Sequence, residues 1–220
     1  MYLDKAPERT ENKPALSDKK KRLELKIALV ITLFAAVAAV NGLYGGKYGD
    51  DEMICHNKES QMAAWYQAKS TKQILAENQR DMLRGFVVSE LLPAERSLVL
   101  DSVILNLNQE IKRYKKEKTE ILLGSATVGP QNWAQDLEGE MGKIKGVKEY
   151  QQKAEVLGKA GDNFDKGALL LNLCLVFGAV ALIVESLGIK KILLWLLFAL
   201  GSLGAYFTTL AYLEALPIVV

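Results

Sequence analysis

Apolar residues are concentrated in three stretches of the chain, and charged residues are almost absent from those stretches. The first, residues 27–44, reads IALVITLFAAVAAVNGLY, which as a helix would be about 27 Å long, close to the thickness of a bilayer core. The second and third, residues 167–184 and 192–213, are separated by the short turn 185–191. A charge at mid-membrane costs several kcal/mol, so this segregation is typical of membrane-spanning helices. The pattern predicts three transmembrane helices, the last two forming an antiparallel hairpin.

The stretch between the first two spans, residues 45–166, has helical periodicity and no alternating strand pattern. Glycine and aspartate at 45–51 predict a break, followed by a helix over about 53–92 that ends at Leu91-Leu92-Pro93. The next predicted helix, about 93–123, has apolar positions at alternating steps of four and three, with Lys118 in the one polar slot. These positions are Leu100, Ile104, Leu107, Ile111, Tyr114 and Ile121. Such a seam meets the threshold for a coiled coil.

A turn at 124–130 ends this seam, and a third helix is predicted from about Gln131. Its apolar positions are three or four residues apart: Leu137, Met141, Ile144, Val147, Tyr150, Ala154, Leu157 and Phe164. No breaker other than glycine separates it from the second span, so the two are expected to form one continuous helix. The predicted fold is an all-α membrane protein whose helical, coiled-coil-like extramembrane domain lies between transmembrane helices 1 and 2.

Basic residues predict the orientation. Lys19-Lys20-Lys21-Arg22 and Lys26 before the first span outweigh Lys47 and Lys58 after it, which favours a cytoplasmic N-terminal segment, residues 1–26. Residues 45–166 then lie on the non-cytoplasmic side, and the turn 185–191 returns to the cytoplasm before the third span and the tail 214–220. A signal peptide is the alternative, since Ala36-Val37-Ala38 resembles a cleavage site, but a polar n-region as long as 1–26 is unusual and favours an uncleaved anchor.

Charge and residue types exclude several classes of function. The middle domain holds eighteen basic and nineteen acidic residues with the signs interleaved, which does not favour nucleic-acid binding. The one histidine, His56, has only Cys55 beside it, too few ligands for zinc within one chain. No glycine-rich phosphate loop occurs, and Ser125 and Ser202 have no histidine to activate them. The sequence therefore predicts no catalytic residue, metal or cofactor; Cys55 is a free thiol or a bridge between chains.

Several features favour association instead. Small residues four apart, at Ala35/Ala39, Ala38/Gly42 and Gly201/Ala205, permit close helix packing in a membrane. The adjacent aromatics Trp65 and Tyr66 are interpreted as a packing anchor near the membrane surface, or alternatively as a partner or lipid-headgroup contact with Lys69 and Lys72 facing outward. The predicted contact residues are Trp65, Tyr66, Leu100, Ile104, Leu107, Ile111, Gly201 and Ala205.

Two functions remain open. The first is a non-enzymatic scaffold in the bilayer, either a homo-oligomer or an accessory subunit of a larger membrane complex. The second is a channel or transport component whose pore, lined by Asn172 or Asn41, forms only in the oligomer. No ionisable residue lies at mid-span, which does not favour transport by a single chain.

The segment AWYQAKSTK, residues 64–72, resembles a family of bacterial membrane proteins of unknown function, the one numbered 4337. In that family a single span is followed by such a segment, a charged helical region and a C-terminal hairpin of two spans. The approach to the second span at 164–170 and Lys190-Lys191 before Trp195 are also similar. The likeness covers most of residues 27–213, with a longer lead before the first span. It implies a bacterial inner-membrane protein and no particular activity.

Overall fold

The computed structural model describes residues 13–89 and 93–219, with side chains described from residue 18 to residue 217 apart from 90–92 and 94. Its elements are α1 (Lys13–Val88), α2 (Ala94–Leu123), the one-turn helix α3 (Ser125–Val128), a 3₁₀ helix (Pro130–Asn132), the strands β1 (Asp136–Leu137) and β2 (Glu140–Met141), α4 (Val147–Ile183) and α5 (Leu187–Val219). Helix accounts for 89% of the structure, which confirms the predicted all-α class. The expected helix end at Leu91-Leu92 lies outside the described residues.

The chain divides into two compact units. The terminal unit comprises Met1–Gly49 and Leu157–Val220, and the middle unit comprises Asp50–Val156. The helices α1 and α4 each contribute to both units. As predicted, α4 runs without interruption from the charged region into the second apolar stretch.

Three helices, within α1, α4 and α5, are long and apolar enough to cross a membrane. They contain the three stretches predicted as spans, apart from Val184, which follows the end of α4. Within the apolar windows of these helices only 17%, 28% and 22% of the residues are buried inside the chain. Most of their apolar surface therefore faces outward, as expected of helices whose solvent is lipid.

The terminal unit has a core formed where α1, α4 and α5 meet. Ile27 and Phe34 of α1 are buried with Leu171 and Cys174 of α4 and Leu197 of α5. Small residues let the backbones approach. At Gly201 a β-carbon would overlap the ring of Phe34, and at Gly178 one would lie 2.5 Å from Ile31. Close packing of this kind replaces the hydrophobic effect as the force that joins helices in lipid.

The predicted hairpin of α4 and α5 is confirmed. Only residues 184–186 separate the two helices. Gly167 lies against Gly204, where a β-carbon on either would be 3.2 Å from the carbonyl oxygen of the other. Farther along, the Asn163 amide donates to Glu214 at 2.8 Å. Contacts that pair early α4 with late α5 require the antiparallel arrangement.

The predicted break at residues 45–51 is wrong, because α1 continues through it. Each glycine in a helix costs only about 1 kcal/mol relative to alanine, and tertiary contacts offset that cost here. The ring of Tyr48 stacks on Tyr44 at 6.1 Å and on Phe164 of α4 at 5.6 Å. A β-carbon at Gly45 would be 3.3 Å from Phe164, so Gly45 lies on the side of α1 on which α4 packs.

The predicted start of the third helix is also wrong, since α4 begins at Val147 rather than near Gln131. Residues 129–146 form the 3₁₀ helix and a two-stranded hairpin in which Leu137 pairs with Glu140. The hairpin turn has positive φ at both Glu138 (55°) and Gly139 (85°), the combination that a type I′ turn requires. Leu137 and Met141, assigned to a helical stripe from their spacing, are instead exposed strand residues.

Candidate functional site

The middle unit is joined by a polar contact between α1 and α2. The Lys118 ammonium donates to the Ser70 hydroxyl at 3.1 Å and to the Gln73 side-chain oxygen at 3.3 Å. Lys69 forms an ion pair of 2.7 Å with Glu117. Lys118, predicted to fill the polar slot of the α2 seam, thus makes its contacts with α1 of the same chain. The seam of α2 faces α1 in this structure.

The predicted seam residues are placed accordingly. Ile104 and Ile111 are buried, at 8% and 3% exposure, and Leu100 and Leu107 are half-buried. Gly201 is buried against an aromatic ring of α1, and Ala205 is half-buried. The structure therefore shows contacts for these residues within one chain, while their predicted role between chains stays a prediction.

The Trp65–Tyr66 segment is half-buried in the middle unit. Tyr66 lies under the Lys118 ammonium, which is 5.0 Å from the ring centroid, a cation–π contact. Lys72 is exposed as predicted, whereas Lys69 is not, because its ammonium turns inward to the buried Glu117. A spacing of three on a helix leaves two residues about 60° apart, so one can face a neighbouring helix while the other faces water.

A buried carboxylate organises the segment that follows α2. Glu120 is fully buried, and its two oxygens accept three hydrogen bonds: from the Ser125 hydroxyl at 2.7 Å, from the Ala134 N–H at 2.7 Å and from the Gln135 N–H at 2.8 Å. The Ser125 hydroxyl in turn accepts from the Ile144 N–H at 3.0 Å. This group, here called the Glu120 node, ties α2 to both ends of residues 125–144.

Trp133 and Gly142 close the same segment. The Trp133 indole N–H donates to the Ser125 carbonyl at 2.9 Å. Its ring covers Gly142, where a β-carbon would be 2.6 Å from the ring. Gly142 also has a φ of 86°, so both space and backbone conformation require glycine there. Specific contacts therefore hold Trp133 and Gly142 together within this segment.

The terminal unit contains a buried polar node of its own. Asn41 of α1 is 2% exposed. Its amide N–H donates to the Phe164 carbonyl at 3.1 Å, and its oxygen accepts from the Thr208 hydroxyl at 2.7 Å. One side chain therefore bonds to both other apolar helices, which fixes their register. Asn172, the second asparagine proposed to line a pore, is exposed on α4.

A charged pair lies where α5 begins. Lys190 is fully buried and its ammonium contacts the Glu24 carboxylate of α1. The hydrogen bond from Lys190 lowers the pKa of Glu24 below its ordinary value. A buried ammonium is expensive to leave unpaired, so this pair helps to set the position of α5 against α1.

Apolar side chains remain uncovered near the turn between α1 and α2. α1 and α2 are antiparallel and are in contact at Lys69 and Glu117. When that register is extended, the end of α1 lies beside the start of α2. The large apolar side chains exposed there, here called the hairpin tip, are Ile74, Leu75, Met82, Phe86, Val88, Leu98, Val99, Val103 and Leu105. A concentration of exposed apolar side chains at one end of an otherwise charged hairpin is typical of a protein contact site.

His56 and Cys55, the two potential zinc ligands of the sequence, both lie on α1. His56 is exposed, with Glu59 at 3.3 Å and Glu52 at 3.8 Å on its own helix, and Cys55 is a half-buried free thiol. No group of three or more His, Cys, Asp or Glu side chains that could hold a metal ion occurs among the described residues.

The family model for a domain of unknown function, DUF4337, matches residues 23–214. This chain belongs to that family. The match confirms the resemblance that the tryptophan–tyrosine segment indicated, and it extends over all three apolar helices. No curated protein and no solved structure matches the chain.

The two buried nodes were not found from the sequence. Glu120 is one of nineteen acidic residues in the middle domain, and only its place one residue before the seam position Ile121 distinguishes it. Asn41 was recognised as a polar residue within a span, but its partners on α4 and α5 lie more than a hundred residues away, at separations of 123 and 167. Local spacing cannot reveal pairings of that range.

Proposed function

We propose that this member of the DUF4337 family is a non-enzymatic scaffold of the bacterial inner membrane that assembles with copies of itself. The observation that carries the proposal is the exposed hairpin tip. In the proposed topology its apolar side chains lie outside the membrane-spanning stretches, and leaving them in water costs about 25 cal/mol per Å² of apolar surface. In the proposed topology the N-terminus is cytoplasmic and the middle unit is on the non-cytoplasmic side.

Self-association agrees with the two kinds of surface that the chain leaves uncovered. The outward faces of the three apolar helices suit lipid, and the hairpin tip suits another protein. A coiled-coil-like contact between hairpins of neighbouring copies would bury Met82 and Phe86 of α1 with Val99 of α2. An accessory subunit of a larger complex would use the same surface with a different polypeptide.

The test must avoid residues that the fold itself needs. A charge at Ile104 would disrupt the packing of α2 whether or not Ile104 contacts another copy, because this side chain is already buried within one chain. Met82 and Val99 are 58% and 63% exposed, so Met82→Glu/Val99→Glu introduces charge without opening a core. Gln67→Glu/Thr119→Glu is the matched control, since it adds the same charge to exposed positions of the same two helices that lie outside the hairpin tip, near the level of the Lys69–Glu117 contact.

Analytical ultracentrifugation in a mild detergent measures the size of each variant. The proposal predicts that Met82→Glu/Val99→Glu weakens self-association by about a hundredfold or more, because charges replace contacts at the centre of an interface. The control retains the wild-type size. Wild-type size for both double variants, with helix content unchanged by circular dichroism, would refute the hairpin tip as the contact.

A second function, a channel or transport component formed by the oligomer, is favoured by one observation. Asn172 is exposed on α4 within the second apolar stretch and has no hydrogen-bond partner in the described chain. A polar amide on an outward membrane face is better placed beside water or another polar group than in lipid. Ion or solute flux through reconstituted oligomers that falls in Asn172→Leu would support it, and flux no higher than in empty vesicles would count against it.

A further inference from the structure

A cavity of about 460 Å³ lies within the middle unit. Lys58 and Trp65 of α1 line one side of the cavity. Leu137 and Lys145, from the segment 129–146, line another side, and Tyr150 of α4 completes the lining. The volume falls in the range of small-molecule sites. Neither the family description nor the proposed scaffold role assigns anything to this cavity.

The charge of the lining is of one sign. Lys58, Lys143 and Lys145 all belong to it, and it includes no carboxylate. Lys143 pairs with Glu140 on the neighbouring strand. Lys58 and Lys145 have no ionic partner among the described residues. In a domain whose charges are otherwise interleaved, two unpaired ammonium groups on one cavity attract an anion.

The rest of the lining is apolar or donates hydrogen bonds. Trp65 and Leu137 offer an aromatic and an aliphatic surface, and Met62 and Ile144 extend it. Burial raises the pKa of Tyr150, with further contributions from Cys55 and Glu149. Its phenol is therefore protonated at neutral pH and available as a donor. This chemistry suits a molecule with an anionic head and a short apolar body, and suits neither a bare ion nor a cation.

Hydrogen bonds hold one wall of the cavity in place. The Ile144 N–H donates to the Ser125 hydroxyl at 3.0 Å, and the Ile144 carbonyl accepts from the Ser125 N–H at 2.8 Å. These bonds attach the wall at 143–145 to the Glu120 node. A pre-formed wall lowers the entropic cost of binding.

We propose that this cavity binds an organic anion with a phosphate or carboxylate head, which Lys58 and Lys145 hold, and an apolar body, which lies along Trp65 and Leu137. The same chemistry occurs in a free alkyl phosphate and in the head region of an anionic lipid. The site is independent of the hairpin tip and does not rest on the scaffold proposal.

The probe is hexyl phosphate, titrated into the full chain in phosphatidylcholine nanodiscs. Fluorine NMR of protein labelled with 5-fluorotryptophan separates Trp65 from Trp133 and Trp195, and the Trp65 signal is assigned by its loss in Trp65→Phe. The expected result is a saturable shift of the Trp65 signal. Hexanol, which has the same chain and no charge, should give no saturable shift.

Variants test the lysines directly. Lys58→Gln/Lys145→Gln should weaken hexyl phosphate binding about tenfold, since water and salt screen charge pairs at exposed lysines and each pair contributes modestly. Lys112→Gln, an exposed lysine of α2 outside the cavity, should leave the affinity unchanged. Raising the salt concentration should weaken wild-type binding and have less effect on the double variant.

A second lipid composition distinguishes the two sources of the anion. In nanodiscs that contain phosphatidylglycerol, a lower apparent affinity for hexyl phosphate would mean that a lipid head occupies the site, and an unchanged affinity would mean that the site takes free anions. The proposal is overturned if hexyl phosphate gives no saturable shift in either lipid, if hexanol shifts the Trp65 signal equally, or if the double lysine variant binds like wild type.

Discussion

The Glu120 node holds the segment after α2 through three hydrogen bonds to one buried carboxylate. Glu120→Ala removes the acceptor for three hydrogen bonds and leaves the Ala134 and Gln135 amides without a partner in a buried site. A buried donor left unsatisfied costs about 1–3 kcal/mol, and more when its lost partner was charged. Water entering the vacated space recovers part of that cost. We expect the segment after α2 to lose about 3 kcal/mol of local stability.

Glu120→Gln is the graded comparison. The Glu120 oxygen that accepts from both amides could be retained as the glutamine carbonyl, while the new amide group would face the Ser125 hydroxyl. Only the charge assistance and the direction of one hydrogen bond would change, which is expected to cost about 1 kcal/mol. Glu110→Ala, at an exposed position of the same helix, should be within about 0.5 kcal/mol of wild type.

Native-state hydrogen exchange at the Ala134 and Gln135 amides is the assay, because it reports local opening independently of how the apolar helices unfold. At 1.4 kcal/mol per factor of ten, Glu120→Ala should lower protection about a hundredfold, Glu120→Gln about fivefold, and Glu110→Ala hardly at all. Protection within about threefold of wild type in Glu120→Ala would show that these hydrogen bonds do not stabilise the segment. Equal losses in the alanine and glutamine variants would contradict the expected difference between them, since the amides would then depend on the charge alone.

Three further predictions concern the terminal unit. A double-mutant cycle of Asn41→Ala and Thr208→Val should give a coupling free energy of about 0.6–1.7 kcal/mol in steric-trap unfolding, and a coupling of zero would exclude the hydrogen bond. Gly201→Ala should lower the stability by about 1–3 kcal/mol because its methyl overlaps a ring, whereas Gly46→Ala, at an open helical site, should raise it slightly. The lowered pKa of Glu24 contributes stability that is fully present above pH 4.5, the ordinary pKa of this carboxyl group, and is lost as the pH falls through the lowered pKa. The melting temperature should therefore drop more steeply below pH 4.5 in wild type than in Glu24→Gln.

The sequence predicted those parts of the fold whose physical cause lies in neighbouring residues. The three apolar stretches became membrane-length helices, and the absence of any breaker but glycine before the second span correctly gave one continuous α4. The errors have a common origin in glycine. The glycines at 45–49 were expected to end a helix that Tyr48 and Phe164 instead hold together. Gly139 and Gly142 were placed inside the third predicted helix, although each has the positive φ of a turn.

The candidate sites could be predicted only in part. The sequence singled out Trp65 as unusual, and the structure places it in a cavity, but the lysine on the opposite wall, Lys145, comes from a segment 80 positions later. The seam of α2 was correctly recognised as apolar. Spacing alone could not decide whether it faces α1 of the same chain or a second copy, because both arrangements bury the same stripe. Buried ion pairs such as Lys190 with Glu24 have no local signature at all.

Copies of this chain are proposed to assemble through a protein surface outside the membrane-spanning stretches. Native mass spectrometry of the wild-type complex, extracted from its own membrane with the surrounding lipid, measures that assembly. We expect one species at a fixed multiple of 24.3 kDa that the Met82→Glu/Val99→Glu variant reduces to a single chain. A wild-type species of 24.3 kDa alone, or a complex with one copy of this chain and other polypeptides, would contradict self-assembly, and the latter would identify the chain as an accessory subunit.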